Sequence, residues 1–241
     1  MNILLSTTYF GPIQWYQKLY RADEVWIEQH ESFLKQTYRN RCIIATTQGT
    51  QALTVPVERT GTSLIKDIRI SDHGNWRHLH WNALQSAYGD SPFFMYYEDD
   101  IRPFFERRWD YLLDFNEAIR EKLCELLDIQ PHVSYTSTFQ LQPSTIHHPL
   151  STIHYPPSTI HHPLSTIHYP PSTIHYPPST IHYPPSTIDF RSAIQPKHPA
   201  PDSDFEPRRY YQVYEVKHGF LPNLSIVDLL FNMGPEAIFY L

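Results

Sequence analysis

The chain predicts an α/β fold: a mixed sheet that opens with a β-α-β unit, is flanked by helices and carries a long repetitive insertion. Three observations predict it. The first 30 residues change period twice, from an apolar strand run at residues 2–6, through apolar positions at helical spacing (Ile13, Tyr16, Leu19, Tyr20), to a compact β-type run at Val25-Trp26-Ile27. Such a unit gives parallel strands. Downstream, strand pairs give way to two long amphipathic segments. The third observation is a seven-residue unit, Ser-Thr-Ile-His-(Tyr/His)-Pro-(Pro/Leu), that runs six times from Ser144 to Pro185 and leaves a broken seventh copy at Ser186, Thr187 and Ile188.

Taken in order, Tyr9-Phe10-Gly11-Pro12 is the turn between the first strand and the first helix. Cys42 to Ala45 and Leu53 to Val57 read as a hairpin closed near Gly49, with Pro56 at an edge or strand end. Ile65 to Ile70 alternates as one more strand. Asn75 to Tyr88 reads as a helix, with Trp76, Leu79, Ala83, Leu84 and Ala87 on one face and Gly89 closing it. A longer helix is expected from about Ile101 to Leu127, capped by Asp99 or Asp100, with Pro103 tolerated in its first turn. Tyr210 to Val216 alternates as a strand, Ser225 caps a short helix from Ile226 to Asn232 that stops at Gly234, and Ala237 to Leu241 is a last strand or turn.

The expected organisation is one α/β core in two parts, residues 1–143 and 189–241, interrupted by the repeat at 144–188. Removing the repeat leaves about 196 residues, ample for a single core. It also leaves every Lys, Arg, Asp and Glu, so the net charge of −6 belongs to the folded part. A mildly acidic total with scattered basic residues argues against a general nucleic-acid binder, which concentrates Lys and Arg on one face. Cys42 and Cys124 stand alone, without metal-motif spacing, and suit a reducing cytoplasm. No apolar stretch reaches the roughly 18 residues of a spanning helix, and the N-terminus lacks the positive region of a signal peptide. The expectation is a cytoplasmic protein with no membrane span.

The repeat holds eight of the fifteen His and ten of the twenty-two Pro, with no Gly. Pro at this density breaks helices and removes ladder donors, so polyproline II or disorder is expected. The bland reading is a tolerated insertion. The sharper one is a His-rich tether that titrates near pH 6.5 or contacts an unidentified partner. Its deletion is expected to leave stability little changed.

In the folded part the densest polar cluster runs from Glu28 and Glu31 through Lys35, Gln36, Arg39, Asn40 and Arg41, between two predicted strands. Lys35, Arg39 and Arg41 can seat a phosphate, Arg as a planar fork and Lys as a point charge, with Asn40 orienting it. A solvated loop is the alternative. Aromatic Tyr9, Phe10, Trp15 and Tyr16 fall in the first strand-to-helix region, where open α/β sheets bind ligands, or else they belong to the core. Tyr9 and Tyr88 are candidates to wall a ligand, and Gln14 lies beside the same loop. His78 and His80 lie about 200° apart on a helix and cannot grip one ion, which leaves no metal site and makes His80 a single polar group or a satisfied core residue. His80 and Glu31 are the acid/base candidates. Glu98-Asp99-Asp100 is better explained by capping than by a site. Cys42 beside Arg41 is either an activated or an inert core thiol. No P-loop, Gly-x-Ser-x-Gly or Gly-x-Gly-x-x-Gly pattern occurs, and no pattern names a cofactor.

At these residues the chain resembles the WbqC-like protein family of bacteria. The likeness rests on Tyr9-Phe10-Gly11-Pro12-Ile13-Gln14, on Glu31 with Lys35-Gln36-Thr37-Tyr38-Arg39-Asn40-Arg41, and on Leu53-Thr54-Val55-Pro56-Val57. It continues through Trp76, His80-Trp81, Ser86-Ala87-Tyr88 and Ser91-Pro92-Phe93-Phe94, and ends in the run from Gly219 to Asn232. The resemblance implies association with O-antigen and other surface-polysaccharide gene clusters, hence modification or assembly of an activated, phosphate-bearing sugar or acyl donor. The heptad repeat departs from the family pattern. A non-enzymatic scaffold in a polysaccharide assembly complex is the competing expectation. A weaker likeness, of fold only, is to nucleotidylyltransferases, through Phe10-Gly11-Pro12 and Ala22-Asp23, although Gln14 and Tyr16 stand near where those enzymes carry a His pair.

Overall fold

Strand β1 (Asn2–Ser6) is one of the two inner strands of a four-stranded parallel sheet. Helix α1 (Ile13–Arg21) carries the chain to β2 (Glu24–Glu28), which pairs with β1 in the register Asn2↔Glu24 to Ser6↔Glu28. The predicted β-α-β unit is therefore present. β5 (Val133–Tyr135) adds to the far side of β2, and β6 (Thr187–Asp189) adds to the free side of β1, giving the order β5-β2-β1-β6. Ile3, Leu5, Val25 and Ile27 are fully buried, and Leu4 on the opposite face of β1 is buried too. An unbroken apolar run such as Ile3-Leu4-Leu5 is what a parallel strand covered on both faces requires.

This computed structural model describes residues 1–58, 61, 64–140 and 187–241. Residues 144–186 of the heptad repeat, with the disorder or polyproline II conformation expected for them, lie outside the described residues; Thr187 and Ile188, from the broken seventh copy, are instead part of β6 and pair with β1. Residues on both sides of that stretch share one core, in which Phe190, Ile194, Ile226 and Phe231 join Ile3, Tyr9, Trp15 and Phe115.

The mixed sheet resolves into two. β3 (Arg41–Thr46) and β4 (Gly49–Thr54) form a separate antiparallel hairpin, turned by Gly49 at φ +109°, a conformation that glycine adopts without cost. Helix α2 (Trp76–Tyr88) follows the predicted bounds. The long helix expected from Ile101 to Leu127 is instead three: α3 (Phe94–Ile101), α4 (Pro103–Glu106) and α5 (Leu112–Leu126). Pro103 removes a helical donor, and residues 107–111 are held extended by pairing with the segment before them, Ile70 N–H to Asp110 O and Leu112 N–H to Ile68 O. Asp99 and Asp100 thus lie inside α3 rather than capping a helix.

The same pairing explains Ile65 to Ile70, which is no strand. It opens as a 3₁₀ turn at Ile65–Asp67 and then makes only isolated bridges, Val57↔Ile70 and Arg69↔Tyr111. Tyr210 to Val216 is also not a strand. Tyr210 and Gln212 are buried and Tyr211 is exposed, as alternation predicts, but their polar side chains reach Asp228 and the chain enters the short helix α6 (Glu215–His218). Helix α7 (Ile226–Met233) begins after Ser225, whose hydroxyl donates to Phe10 O instead of capping it. The final residues form a 3₁₀ helix, Gly234–Tyr240.

The segment before α7 closes the first turn of α1. Ile13 N–H donates to Leu224 O at 3.0 Å and Gln14 N–H to Asn223 Oδ1 at 2.9 Å. Two of the donors that a free helix N-terminus offers to an anion are thereby satisfied from within the chain.

Candidate functional site

From β1 the chain moves outward through β2 to β5, then returns to the opposite side of β1 as β6. The strand order reverses between β1 and β6, and open α/β sheets bind ligands outside the carboxyl ends of the strands at such a switch point. Ser6 ends β1 and leads into Thr7 and Thr8; Asp189 ends β6 and leads into Phe190 and Arg191. Between them is a cavity of about 10 Å³ lined by Ser6, Thr7, Thr8, Arg39, Phe190 and Arg191, among others, about the room one water needs.

Arg39 is buried, 4 % exposed, and held by three hydrogen bonds to two side chains. Its Nε donates to Glu31 Oε1 at 2.7 Å, and its Nη2 donates to Glu31 Oε2 at 2.5 Å and to Ser6 Oγ at 2.9 Å. Arg191, equally buried, donates Nη2 to Asp189 Oδ2 and to Gln140 O, both at 2.7 Å, while Nη1 lies 3.6 Å from Glu28. Burial alone would lower the Arg191 pKa, but the hydrogen bond and charge of Asp189, with Glu31 and Glu28, hold it above its ordinary value. Glu28 ends β2 and has no exposure; it accepts from Thr136 Oγ1, His30 N–H and Gln140 N–H. Thr7 Oγ1 donates to Glu117 on α5, which also receives Arg120 and the Tyr135 hydroxyl. Glu31 with Arg39, and Asp189 and Glu28 with Arg191, thus form two buried ion-pair clusters beside one cavity, and both guanidinium charges are compensated. Thr8 Oγ1 is buried without a hydrogen-bond partner, the kind of group a ligand hydroxyl can satisfy.

The predicted site residues fall into several places. Glu31 and Arg39 meet at the switch point. Arg41, at the start of β3, donates Nε to Thr54 Oγ1, and Lys35 is exposed on the loop before it, so the three cations face different surroundings. Asn40 is buried, donating Nδ2 to Val55 O, with Oδ1 unpartnered. Tyr9 and His80 meet elsewhere in the core, the hydroxyl 2.9 Å from Nδ1, with Trp76 edge-on to the imidazole. Burial pulls the His80 pKa from 6.5 to about 4, against a backbone hydrogen bond with Thr54, so the ring is neutral. Tyr88 donates to Asp228 Oδ1 at 2.8 Å and accepts from Ala45 N–H. Gln14 is buried on α1 between Asn223 and Asp202. Burial pushes the Cys42 thiol up, which fits the inert core reading. Among the described residues no group of His, Cys, Asp and Glu is arranged to hold a metal ion, and no helix is long and apolar enough to cross a membrane.

Ser6, Thr7, Thr8, Asp189 and Arg191 escaped the sequence reading as site residues. Their signal is positional: each lies within two residues of the carboxyl end of a strand on either side of the switch point, and the pairing of β1 with β6 spans most of the chain.

Fold and crevice together define a parallel α/β protein of the open, switch-point class. The chain belongs to the WbqC-like protein family, whose model matches residues 7–154. It is also 28 % identical over 223 residues, 91 % of this chain and 88 % of the other, to the uncharacterized protein Rv1507c of Mycobacterium tuberculosis. No solved structure matches.

Proposed function

We propose that this protein acts in bacterial surface-polysaccharide biosynthesis, binding an activated, phosphate-bearing sugar or acyl donor at the switch-point crevice and modifying it or transferring from it. The observation that carries the reading is the convergence of Ser6, Thr7 and Thr8 with Arg39 and Arg191 at the carboxyl ends of β1 and β6. Carboxylates and guanidinium groups beside one cavity suit the hydroxyls of a sugar, which donate to the first and accept from the second. Because both arginines are compensated, the phosphate belongs at the rim. There Lys197 reaches Gln36 Oε1, next in sequence to the exposed Lys35. Glu31 is the acid/base candidate; His80, neutral and bound to Tyr9, is a positioning residue. The crevice holds no more than a water as it stands, so a donor enters only when the segment after Phe190 moves.

The test is thermal shift against UDP-, GDP- and dTDP-linked sugars and acyl-CoA, with and without Mg²⁺. Wild type and Thr8→Ser are expected to gain melting temperature with one of them, and Thr8→Ala to gain much less. Equal shifts in all three, or no shift with any donor, would overturn the reading. The full compensation of Arg39 and Arg191 favours a second reading, a non-enzymatic binding protein of a polysaccharide assembly complex. Binding of a donor without turnover in the presence of candidate acceptors is its expected signature.

A further inference from the structure

We propose that Gln14 and Lys18 form an oxyanion subsite on α1, occupied in this structure by the carboxylate of Asp202 from the chain's own covering strap. The subsite rests on the crevice reading and adds to the rim lysines a second, inner position for an anionic group of a donor, but its first test needs no donor.

Gln14 and Lys18 are one helical turn apart and so share a face of α1. Both are buried, Lys18 to 2 % exposure. Lysine is seldom buried so deeply without a partner. Its partner is Asp202: Lys18 Nζ donates to Oδ1 at 2.8 Å and Gln14 Nε2 to Oδ2 at 2.9 Å, one donor for each carboxylate oxygen. The Asp204 N–H adds a third bond, 3.1 Å to Oδ1, from within the strap itself. The donors are pre-set by groups that do not depend on Asp202. Asn223 receives the Gln14 N–H and donates to its Oε1 at 3.0 Å, which turns the Gln14 amide so that Nε2 faces the carboxylate. Lys18 Nζ stands 4.4 Å above the ring of Phe190, which lines the switch-point cavity. An oxyanion on these two donors would therefore lie beside the crevice.

The strap is built to leave. Residues 195–214 contain no helix or strand and pass His198 at a positive φ of 50°; buried Tyr210 and Gln212 anchor the far end to Asp228, and the part before them is tied down largely by side chains: Lys197 to Gln36, Asp202 to Lys18 and Gln14, and Arg208 to Phe239 O. Asp202 is the buried tie among the latter. A phosphate or carboxylate presents the same two oxygens to the same two donors, so ligand and strap compete for one place.

Asp202→Ala should melt below wild type, because Lys18 is left buried and unpaired. Sodium acetate and inorganic phosphate should restore its melting temperature saturably at constant ionic strength, where chloride does not. Adding Lys18→Met should abolish the restoration. Restoration by chloride alone, or its persistence without Lys18, overturns the proposal. If the alanine variant does not fold, Asp202→Asn serves with trypsin, which can cut the strap after Lys197, Arg208 and Arg209. Phosphate should speed strap cleavage in Asp202→Asn at a lower concentration than in wild type, and equal or absent acceleration contradicts the idea. Failure here with a normal donor shift in wild type would remove the subsite and spare the crevice; rescue here with no donor shift would do the reverse.

Discussion

Arg39 and Glu31 face each other through two parallel hydrogen bonds, Nε to Oε1 at 2.7 Å and Nη2 to Oε2 at 2.5 Å, with both side chains about 5 % exposed. The pair ties the loop after β2 to the start of the hairpin, and the third bond from Arg39, to Ser6, fixes that loop against the end of β1. It positions the rim of the crevice by satisfying charges that water cannot reach.

Breaking one side of this pair leaves the other charge buried. Arg39→Met or Glu31→Met alone should each lose roughly 3–5 kcal/mol of unfolding free energy, while the double replacement recovers most of that loss. Urea denaturation of the four proteins measures the coupling; additive losses would contradict the bidentate pair.

His80 and Asp228 should give opposite pH dependences in the same window. His80 is pulled down from 6.5 to about 4, so the unfolded chain binds more protons between those values, and its contribution is complete above pH 6.5 and lost as pH falls toward 4. Asp228 is pushed up from 3.8 to about 6 by burial, against hydrogen bonds from Tyr210, Tyr88 and Gln212. The folded chain then binds more protons, so its contribution is present below pH 3.8 and lost as pH rises through 6. At about 1.4 kcal/mol for each pH unit, each effect is at most roughly 3 kcal/mol. Melting curves from pH 4 to 7 should show the stability of wild type relative to His80→Asn rising with pH, and relative to Asp228→Asn falling. Parallel trends would refute the assignment.

Gly11 lies against the crevice wall, where an added Cβ would overlap the Thr8 side chain. Gly11→Ala should cost roughly 1–3 kcal/mol through overpacking, less in a Thr8→Ala background. An equal cost in both backgrounds would show that Thr8 is not the obstacle.

Much of the fold is legible in the sequence because it rests on local period. The β1-α1-β2 unit, the hairpin, α2 and α7 each carry their own pattern, and their bounds follow it except at the second hairpin strand, which runs Gly49–Thr54 rather than from Leu53 to Val57. What failed depended on distant partners. The run from Ile65 to Ile70 alternates but finds only single-residue bridges, and the predicted helix through Arg107 gives way to pairing with that run. Tyr210 to Gln212 alternates with no strand beside it. The site was legible in part for the same reason. Glu31 and Arg39 stand in a dense polar context and Gln14 beside the first strand-to-helix loop, but Arg191 and Asp202 acquire meaning only when β6 pairs with β1 and the strap returns across α1. Arg41 is near Arg39 in sequence, yet Thr54 takes its side chain on the hairpin.

The location of the site is tested by amide hydrogen exchange with and without whichever nucleotide-linked sugar or acyl-CoA gives the largest thermal shift. The crevice account predicts slowed exchange at residues 6–12, 36–41 and 187–194, with exchange of the 195–214 strap altered in the same experiment. Protection confined to other parts of the chain, such as α3 to α5, would contradict it.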